Sequence, residues 1–282
     1  MTEHLLEDAL PSWRDGPGKY SILTFLRDVT QGPAMMSVEQ RVAAFDFDGT
    51  LACEKPRTVL AEFLADRSGP NSPETVRAAS GGRGHDVLRG LGVVFAGQTV
   101  AEYEEQAREF LDRAEHPRFH CLYPRLVYRP MLELIQLLAA LEFSVFVCTD
   151  SSRDFLRVIA EPVLGLRREQ IIGSEVQIES REGRLVRTAN PVPFDDGPGK
   201  TVHLWDRTGT QPLLAAGNAA GDIAMLQAAR FPLVVHHDDS VREYAYDDDQ
   251  ILTAADCNRW TVLSMRDDFT CIWVPDQAGG VQ

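Results

Sequence analysis

The chain has 282 residues, and with 44% of them hydrophobic it can bury one large core or two modest ones. Its formal net charge of −14 argues against nucleic acid or an anionic membrane as a partner, because both require a basic surface. Residues 1–8 lack the layout of a secretory signal, no stretch of about 18 residues is free of charge, and five cysteines without framework spacing suit a reducing compartment. We therefore expect a globular, cytoplasmic protein, whose oligomeric state the sequence does not indicate.

Residues 1–40 predict an N-terminal helical extension, because apolar residues recur at helical spacing from Tyr20 to Val29. Within it, residues 15–19 read D-G-P-G-K, a sequence that returns at residues 196–200. The first copy precedes any predicted strand, so it is interpreted as a turn and a helix start. The apolar run at residues 42–45 then predicts the first strand.

A long insertion with helical character follows this strand. Apolar residues at positions 59, 60, 63 and 64 predict a short helix, and residues 66–84 are rich in Gly, Ser, Pro and Arg, which predicts a mobile connection. Thr99 and Glu102 form a capping box that opens another helix, which Pro117 ends. Strand patterns are absent from Leu51 to about Tyr128.

From Pro130 onward, strand patterns and helix patterns alternate. Helices are predicted at residues 131–141, 154–164 and 222–229, and strands at 143–148, from 171, and at 213–216, 231–235 and 260–264. Residues 176–179 and 185–187 predict a hairpin around Glu182-Gly183. This alternation indicates an α/β fold, with a mostly parallel, Rossmann-like sheet that helices cover on both faces.

Two aspartates, Asp46 and Asp48, directly follow the first predicted strand and precede Gly49. Ligands of α/β sheets bind at the carboxyl ends of the strands. Two carboxylates in one pocket repel each other unless a cation such as Mg²⁺ lies beside them. A carboxylate near a metal can attack phosphorus while its neighbour handles the proton of the leaving oxygen. The pair therefore predicts a magnesium site with phosphoryl chemistry, although a bare pair of this kind also occurs in ordinary Asp-rich turns.

The segment Asp46-Phe47-Asp48-Gly49-Thr50 resembles D-x-D-G-T, the first motif of the haloacid dehalogenase (HAD) superfamily. Candidates for the other three motifs follow in the order that the family requires: Thr149 after a strand-like run, Lys200, and Asp222. Asn218 stands where the fourth motif usually has its first aspartate. The whole chain also resembles a bacterial branch of this superfamily that is described as phosphoserine phosphatase-like.

This resemblance implies a HAD-like α/β core formed by residues 41–53 and 129–282, with a helical C1-type cap formed by residues 54–128. It implies a Mg²⁺-dependent phosphatase that hydrolyses a phosphomonoester of a small metabolite through an aspartyl-phosphate intermediate. Asp46 would be the nucleophile and Asp48 the acid and base, and Thr149 and Lys200 would complete the catalytic set.

The resemblance also implies the surrounding contacts. The metal ligands would be Asp46, Asp48 through its backbone carbonyl, Asn218 and Asp222, of which Asp222 is the surer downstream residue, since an amide removes one negative charge from the site. Phosphate or substrate contacts would come from Gly49, Thr50, Glu54, Lys55, Asp150 and Ser151. Asp150 places a negative charge beside the expected anion, so its side chain must point away or the site is weakened.

Several alternatives stay open. In phosphoserine phosphatases a glutamate after the first motif reads the substrate amine; Glu54 lies one residue short of that place and Lys55 occupies it, which favours a substrate with an additional anionic or polar group. A phosphotransferase or phosphomutase would use the same core, and a binding protein without catalysis would keep the same scaffold. The run His-His-Asp-Asp at residues 236–239 suggests a transition-metal cluster, but neighbours on an extended chain point to opposite sides, which favours a structural role.

Overall fold

The computed structural model of this chain describes residues 5–6, 9–69, 71–74, 84–192 and 194–274. The strands are β1 (Val42–Phe45), β2 (Ser144–Ser152), β3 (Ile171–Ser174), β4 (Val176–Arg181), β5 (Arg184–Pro191), β6 (Leu214–Gly217), β7 (Phe231–His236) and β8 (Thr261–Ser264). The helices of the described residues are α1 (Pro17–Thr30), α2 (Val59–Ser68), α3 (Gly84–Val94), α4 (Val100–Leu111), α5 (Arg129–Ala140), α6 (Arg153–Leu164), α7 (Pro198–Thr208), α8 (Ile223–Ala228), α9 (Asp249–Asn258) and α10 (Met265–Asp268).

Six of the strands form one sheet in the order β3-β2-β1-β6-β7-β8, and β4 and β5 form a separate antiparallel hairpin. Each neighbouring pair in the six-stranded sheet is parallel. This arrangement confirms the predicted α/β class with a mostly parallel sheet, and the hairpin around Glu182-Gly183 is confirmed as well.

Strand β1 lies in the middle of the sheet and is buried on both faces. Ala43 and Phe45 pack into one apolar cluster, and Val42 and Ala44 pack into another on the opposite face, to which α7, α8 and α9 contribute. A strand covered on both sides reads as a continuous apolar run, which is why the sequence shows no alternation here. Because β2 and β6 flank β1 in parallel, the residues after all three strands emerge at the same edge of the sheet.

Some elements differ from the prediction. Strand β2 extends four residues further, to Ser152, where its pairing with β3 is irregular. Helices α3, α7, α9 and α10 were not predicted. Helix α3 begins inside the expected mobile connection, whose residues 70 and 75–83 lie outside the described part of the chain. Its glycines weaken the helical pattern in the sequence. A Cβ on Gly90 would lie 2.7 Å from Leu64 Cδ2, so glycine permits close packing of α3 on α2.

The N-terminal extension packs against the sheet domain. Trp13 Nε1 donates to the Pro130 carbonyl at 2.9 Å, and the Ser12 hydroxyl donates to the Glu133 carboxylate at 2.6 Å. As predicted, the first D-G-P-G-K copy opens a helix, because Pro17 starts α1, and Lys19 pairs with Asp15 at 3.1 Å.

Aromatic side chains join the helices of the insertion to one another and to α6. The ring of Phe63 contacts the rings of Phe95, Tyr103 and Phe110, and also that of Phe155 on α6. The β4–β5 hairpin adds backbone contacts, since the Arg187 N–H donates to the Gln98 carbonyl at 2.8 Å. Among the helices that the structure describes, none combines the length and the apolar character that crossing a membrane requires.

Candidate active site

A cavity of about 720 Å³ opens at the carboxyl edge of the sheet. Asp46 and Asp48 line it beyond β1, Asp150 and Ser151 from the last residues of β2, and Lys200 from the first turn of α7. Residues of the insertion, among them Leu60 of α2 and Val87 of α3, form the facing wall. The position is the one that parallel α/β sheets use for ligands.

Lys200 joins two of the predicted motifs. Its ammonium lies 2.6 Å from Asp46 Oδ1 and 2.7 Å from Asp222 Oδ1, and all three side chains are buried. Burial alone lowers the pKa of Lys200, but the carboxylates of Asp222 and Asp46 outweigh it and hold that pKa well above its usual value. Burial and the charge of Asp222 in turn raise the pKa of Asp46, and Lys200 opposes that rise. Lys200 is therefore a fixed cation beside the predicted nucleophile.

Both carboxylate oxygens of Asp222 accept hydrogen bonds. Its Oδ2 accepts the backbone N–H groups of Asn218 at 3.0 Å and Ala219 at 3.1 Å, while Oδ1 accepts Lys200. Asp222 can pack this closely against the chain because residue 217 is glycine: a Cβ on Gly217 would fall 2.4 Å from the Asp222 Cβ. Asp222 thus orients Lys200, and its direct contact with a metal stays a prediction.

Asp48 faces the cavity with one satisfied and one unsatisfied oxygen. Oδ2 accepts the Ser151 hydroxyl at 2.5 Å, whereas Oδ1 is buried without a hydrogen-bond partner. Burial raises the pKa of Asp48 to about 7; the Ser151 hydrogen bond opposes this rise and the charge of Asp150 adds to it. A carboxyl group with a pKa close to neutrality suits proton transfer in both directions at physiological pH.

The turn after Asp48 is packed against Asn218. Gly49 has φ of +80°, and a Cβ there would lie 2.1 Å from Asn218 Nδ2. The Thr50 hydroxyl donates to Asn218 Oδ1 at 3.0 Å, and Asn218 Nδ2 is buried without a partner. Gly49, Thr50 and Asn218 shape the turn from behind the cavity wall, and their contacts with phosphate or metal stay predictions.

At the end of β2, Thr149 is fully buried and its Oγ1 accepts the Ser151 N–H at 3.0 Å. The cavity wall at this point is formed by Asp150 and Ser151. Asp150 acts on the site, since its charge raises the pKa of Asp46 and of Asp48. Burial raises the pKa of Asp150 itself, against the opposing charge of Lys200, and a proton there would reduce repulsion of an incoming anion.

The cations at the cavity mouth already have partners. Lys55 Nζ lies 3.5 Å from Glu54 Oε1 and 4.3 Å from the centre of the Tyr246 ring. Arg57 Nε lies 2.8 Å from Glu62 Oε1. Because Glu54 offsets the charge of Lys55, a polar substrate group fits this corner better than a second anion.

The residues at this edge fit a magnesium ion by chemistry and by charge. The Asp46 carboxylate and the Asp48 backbone carbonyl are hard oxygen donors, and Asp48, whose buried Oδ1 has no hydrogen-bond partner, lines the space in which a charged ligand would lie. Across the part of the chain described here, no three His, Cys, Asp or Glu side chains lie close enough to cage a metal. Mg²⁺ is usually held by one or two carboxylates with water and substrate phosphate, so the sparse set suits it.

Other residues that line the cavity were not predicted. Asp196, Asp248, Gln250 and Val87 all face it. Asp248 caps α9 and its Oδ2 accepts the Ala220 N–H at 2.9 Å. Only Asp196 carried a signal in the sequence, because it begins the second D-G-P-G-K copy.

A profile of the family described as haloacid dehalogenase-like hydrolase matches residues 43–227. Among solved structures, a protein of unknown function from Bordetella pertussis Tohama I has a TM-score of 0.55 and 15% sequence identity, over 79% of this chain and 98% of that chain. A conserved, functionally unknown protein from Anaerococcus prevotii DSM 20548 has a TM-score of 0.60 and 12% identity, over 87% of this chain and 91% of its own. These two likenesses show the shared fold, and no curated protein matches the sequence.

The family match covers most of the chain and includes all four predicted motif positions, from Asp46 to Asp222. The ammonium of Lys200 brings three of those motifs into direct contact. This chain belongs to the haloacid dehalogenase-like hydrolase family.

Proposed function

We propose that this hydrolase is a Mg²⁺-dependent phosphatase that acts on a phosphomonoester of a small metabolite. The observation that carries the proposal is the position of Lys200, whose ammonium contacts Asp46 while Asp48 faces the same cavity. A nucleophile, a proton donor and a fixed cation around one space are the parts that phosphoryl transfer needs.

In the first step, the Asp46 oxygen that Lys200 does not hold attacks phosphorus. The bond between phosphorus and the ester oxygen breaks, and Asp48 delivers its proton to that oxygen, which leaves as an alcohol. Lys200 offsets the negative charge that gathers on the phosphoryl oxygens. The product of this step is an aspartyl-phosphate on Asp46.

In the second step, Asp48, now ionised, takes a proton from a water molecule as that water attacks the phosphorus. The bond to Asp46 breaks, and inorganic phosphate leaves. Asp46 and Asp48 return to their starting states, so no other reactant is consumed. When bound beside Asp46 and Asp48, Mg²⁺ would neutralise the phosphate and orient it for in-line attack.

We propose further that residues 54–128 act as a cap over the site and that residues 41–53 and 129–282 form the core. The contribution of Leu60 and Val87 to the cavity wall supports this division. The 720 Å³ cavity suits a small metabolite, and the pairing of Lys55 with Glu54 favours a polar group beyond the phosphate.

The test is turnover of p-nitrophenyl phosphate and of a panel of phosphorylated metabolites with and without Mg²⁺. We expect Asp46→Asn to abolish phosphate release and Asp112→Asn, the same change at an exposed position after α4, to leave it intact. Phosphate release that survives Asp46→Asn contradicts the proposal. Phosphate that appears on a second molecule rather than in solution would identify a phosphotransferase or phosphomutase.

A further inference from the structure

The carbonyl group of Gly49, in the turn that carries Asp48, has a buried hydrogen-bond partner from the segment that follows β7. His237, the residue after β7, places its Nε2 2.6 Å from the Gly49 oxygen, and its side chain is 2% exposed. A carbonyl oxygen only accepts, so Nε2 carries the proton and donates. The contact joins positions 188 residues apart in the chain.

The imidazole of His237 is fixed from the other side. Its Nδ1 lies 3.4 Å from Glu243 Oε2, and Glu243 is fully buried and also accepts the Tyr128 hydroxyl at 3.3 Å. The Tyr246 ring stacks on the imidazole at 4.3 Å between centres. A carboxylate behind one ring nitrogen and a stacked ring over its face leave the other nitrogen a single direction in which to donate.

The same Tyr246 ring carries the ammonium of Lys55 on its surface, 4.3 Å from its centre. Lys55 lines the cavity next to Glu54. Pairwise contacts therefore connect Lys55, at the cavity, through Tyr246 and His237 to the Gly49 carbonyl.

We propose that His237 is a positioning residue for phosphoryl transfer, which holds the turn containing Asp48 through the Gly49 carbonyl. This inference rests on the proposed function. The Gly49 N–H is bonded to the Ala52 carbonyl at 2.8 Å and Asn218 presses against the Gly49 α-carbon, so His237 supplies the remaining polar restraint on this glycine. Loss of the donor releases the Gly49 peptide and lets the Asp48 carboxyl move from its place beside Ser151.

Because His237 would act only by positioning the turn that contains Asp48, we expect its loss to lower kcat more than it changes KM. A misplacement of about 1 Å in a catalytic group costs up to roughly 10²-fold in rate. His237 does not line the cavity, so its loss removes no direct contact with the substrate.

Two substitutions of His237, by glutamine and by asparagine, test the proposal, because the two amide side chains differ in length by one methylene. In His237→Gln the side-chain amide reaches about as far as Nε2 and still donates to the Gly49 carbonyl, whereas in His237→Asn it reaches only the place of Nδ1, beside Glu243. We expect His237→Asn to lower kcat at least tenfold with KM little changed, and His237→Gln to retain most of the wild-type kcat. His236→Ala is the matched control, because the neighbouring His236 pairs with Asp247 near the surface instead of with the Gly49 carbonyl.

Amide hydrogen exchange of residues 47–52 gives a second readout that needs no turnover. We expect faster exchange there in His237→Asn than in His237→Gln or the wild type. Equal kcat in the Asn and Gln variants, or equal exchange in this turn, overturns the positioning role. Wild-type protein that releases no phosphate instead overturns the proposed function, and the exchange comparison then decides the role of His237 by itself.

Discussion

Replacing Lys200 by glutamine is expected to weaken both the fold and the reaction. The change removes the ammonium that lies 2.6 Å from Asp46 and 2.7 Å from Asp222, and leaves two buried carboxylates side by side. Removal of one partner from a buried charge pair costs about 3–5 kcal/mol of unfolding free energy, because the remaining charge stays desolvated. Loss of a charge that stabilises the transition state lowers kcat by roughly 10²- to 10³-fold.

The stability loss in Lys200→Gln should depend on pH in a known direction. Burial and Asp222 already raise the pKa of Asp46, and the variant lacks the lysine that opposes this rise. The folded variant therefore binds a proton at a pH at which the unfolded chain is still ionised, so its stability rises relative to the wild type as pH falls towards the unfolded value of about 4.

Urea unfolding at pH 8 and pH 5.5 measures this effect. Lys19→Gln is the matched control, because Lys19 ends the first D-G-P-G-K copy and pairs with a mostly exposed Asp15. We expect the control to lose less than about 1 kcal/mol at both pH values. If Lys200→Gln unfolds at the wild-type urea concentration at both pH values, the charge arrangement described for the site is wrong.

Three further changes test separate parts of the account. In a single turnover, Asp48→Asn should slow release of the alcohol from an alkyl phosphate by roughly 10²-fold or more but release of p-nitrophenol much less, because only the alkoxide needs a proton to leave; equal losses would contradict the acid role. Asn218→Asp should lower the Mg²⁺ concentration for half-maximal activity roughly tenfold by restoring a carboxylate, and an unchanged Mg²⁺ titration would place residue 218 outside the metal's reach. Arg187→Met should cost about 3–5 kcal/mol in thermal or urea unfolding, since it leaves buried Glu175 without its 2.8 Å partner, whereas the exposed Arg184→Met on the same strand should change little.

The sheet was predictable from the sequence because its strands are short apolar runs that alternate with amphipathic helices. β1, β6 and β7 lie where their patterns indicate, and the capping box at Thr99 opens α4 as predicted. Local signals of this kind are independent of tertiary contacts, so they can be recognised in one sequence.

The elements that the sequence did not predict depend on packing between distant parts of the chain. Helix α3 contains Gly90 and Gly92, which disfavour a helix locally but allow Leu64 and the backbone of Ala189 to approach closely. The role of Lys200 followed from a family resemblance, whereas its contact with Asp222 requires the fold.

His237 shows the same limit within the site. In the sequence it is one of four polar residues in a row, which indicates at most a structural role. In the structure the two histidines have different partners: His236 contacts Asp247 near the surface, and His237 contacts the Gly49 carbonyl. Because successive side chains of an extended chain point to opposite sides, the sequence predicts that the two imidazoles diverge, but it does not predict which residue either of them contacts.

The proposed mechanism depends on covalent phosphorylation of Asp46. Acid quenching of the Asp48→Asn variant during turnover of p-nitrophenyl phosphate, followed by peptide mass spectrometry, tests this step, since p-nitrophenolate leaves without a proton and the variant lacks the base that activates water for the second step. We expect one phosphoryl group on the peptide that contains Asp46, and none when Asp46→Asn is added. A phosphoryl group on another residue, or hydrolysis that proceeds with none on the protein, would contradict the proposed mechanism.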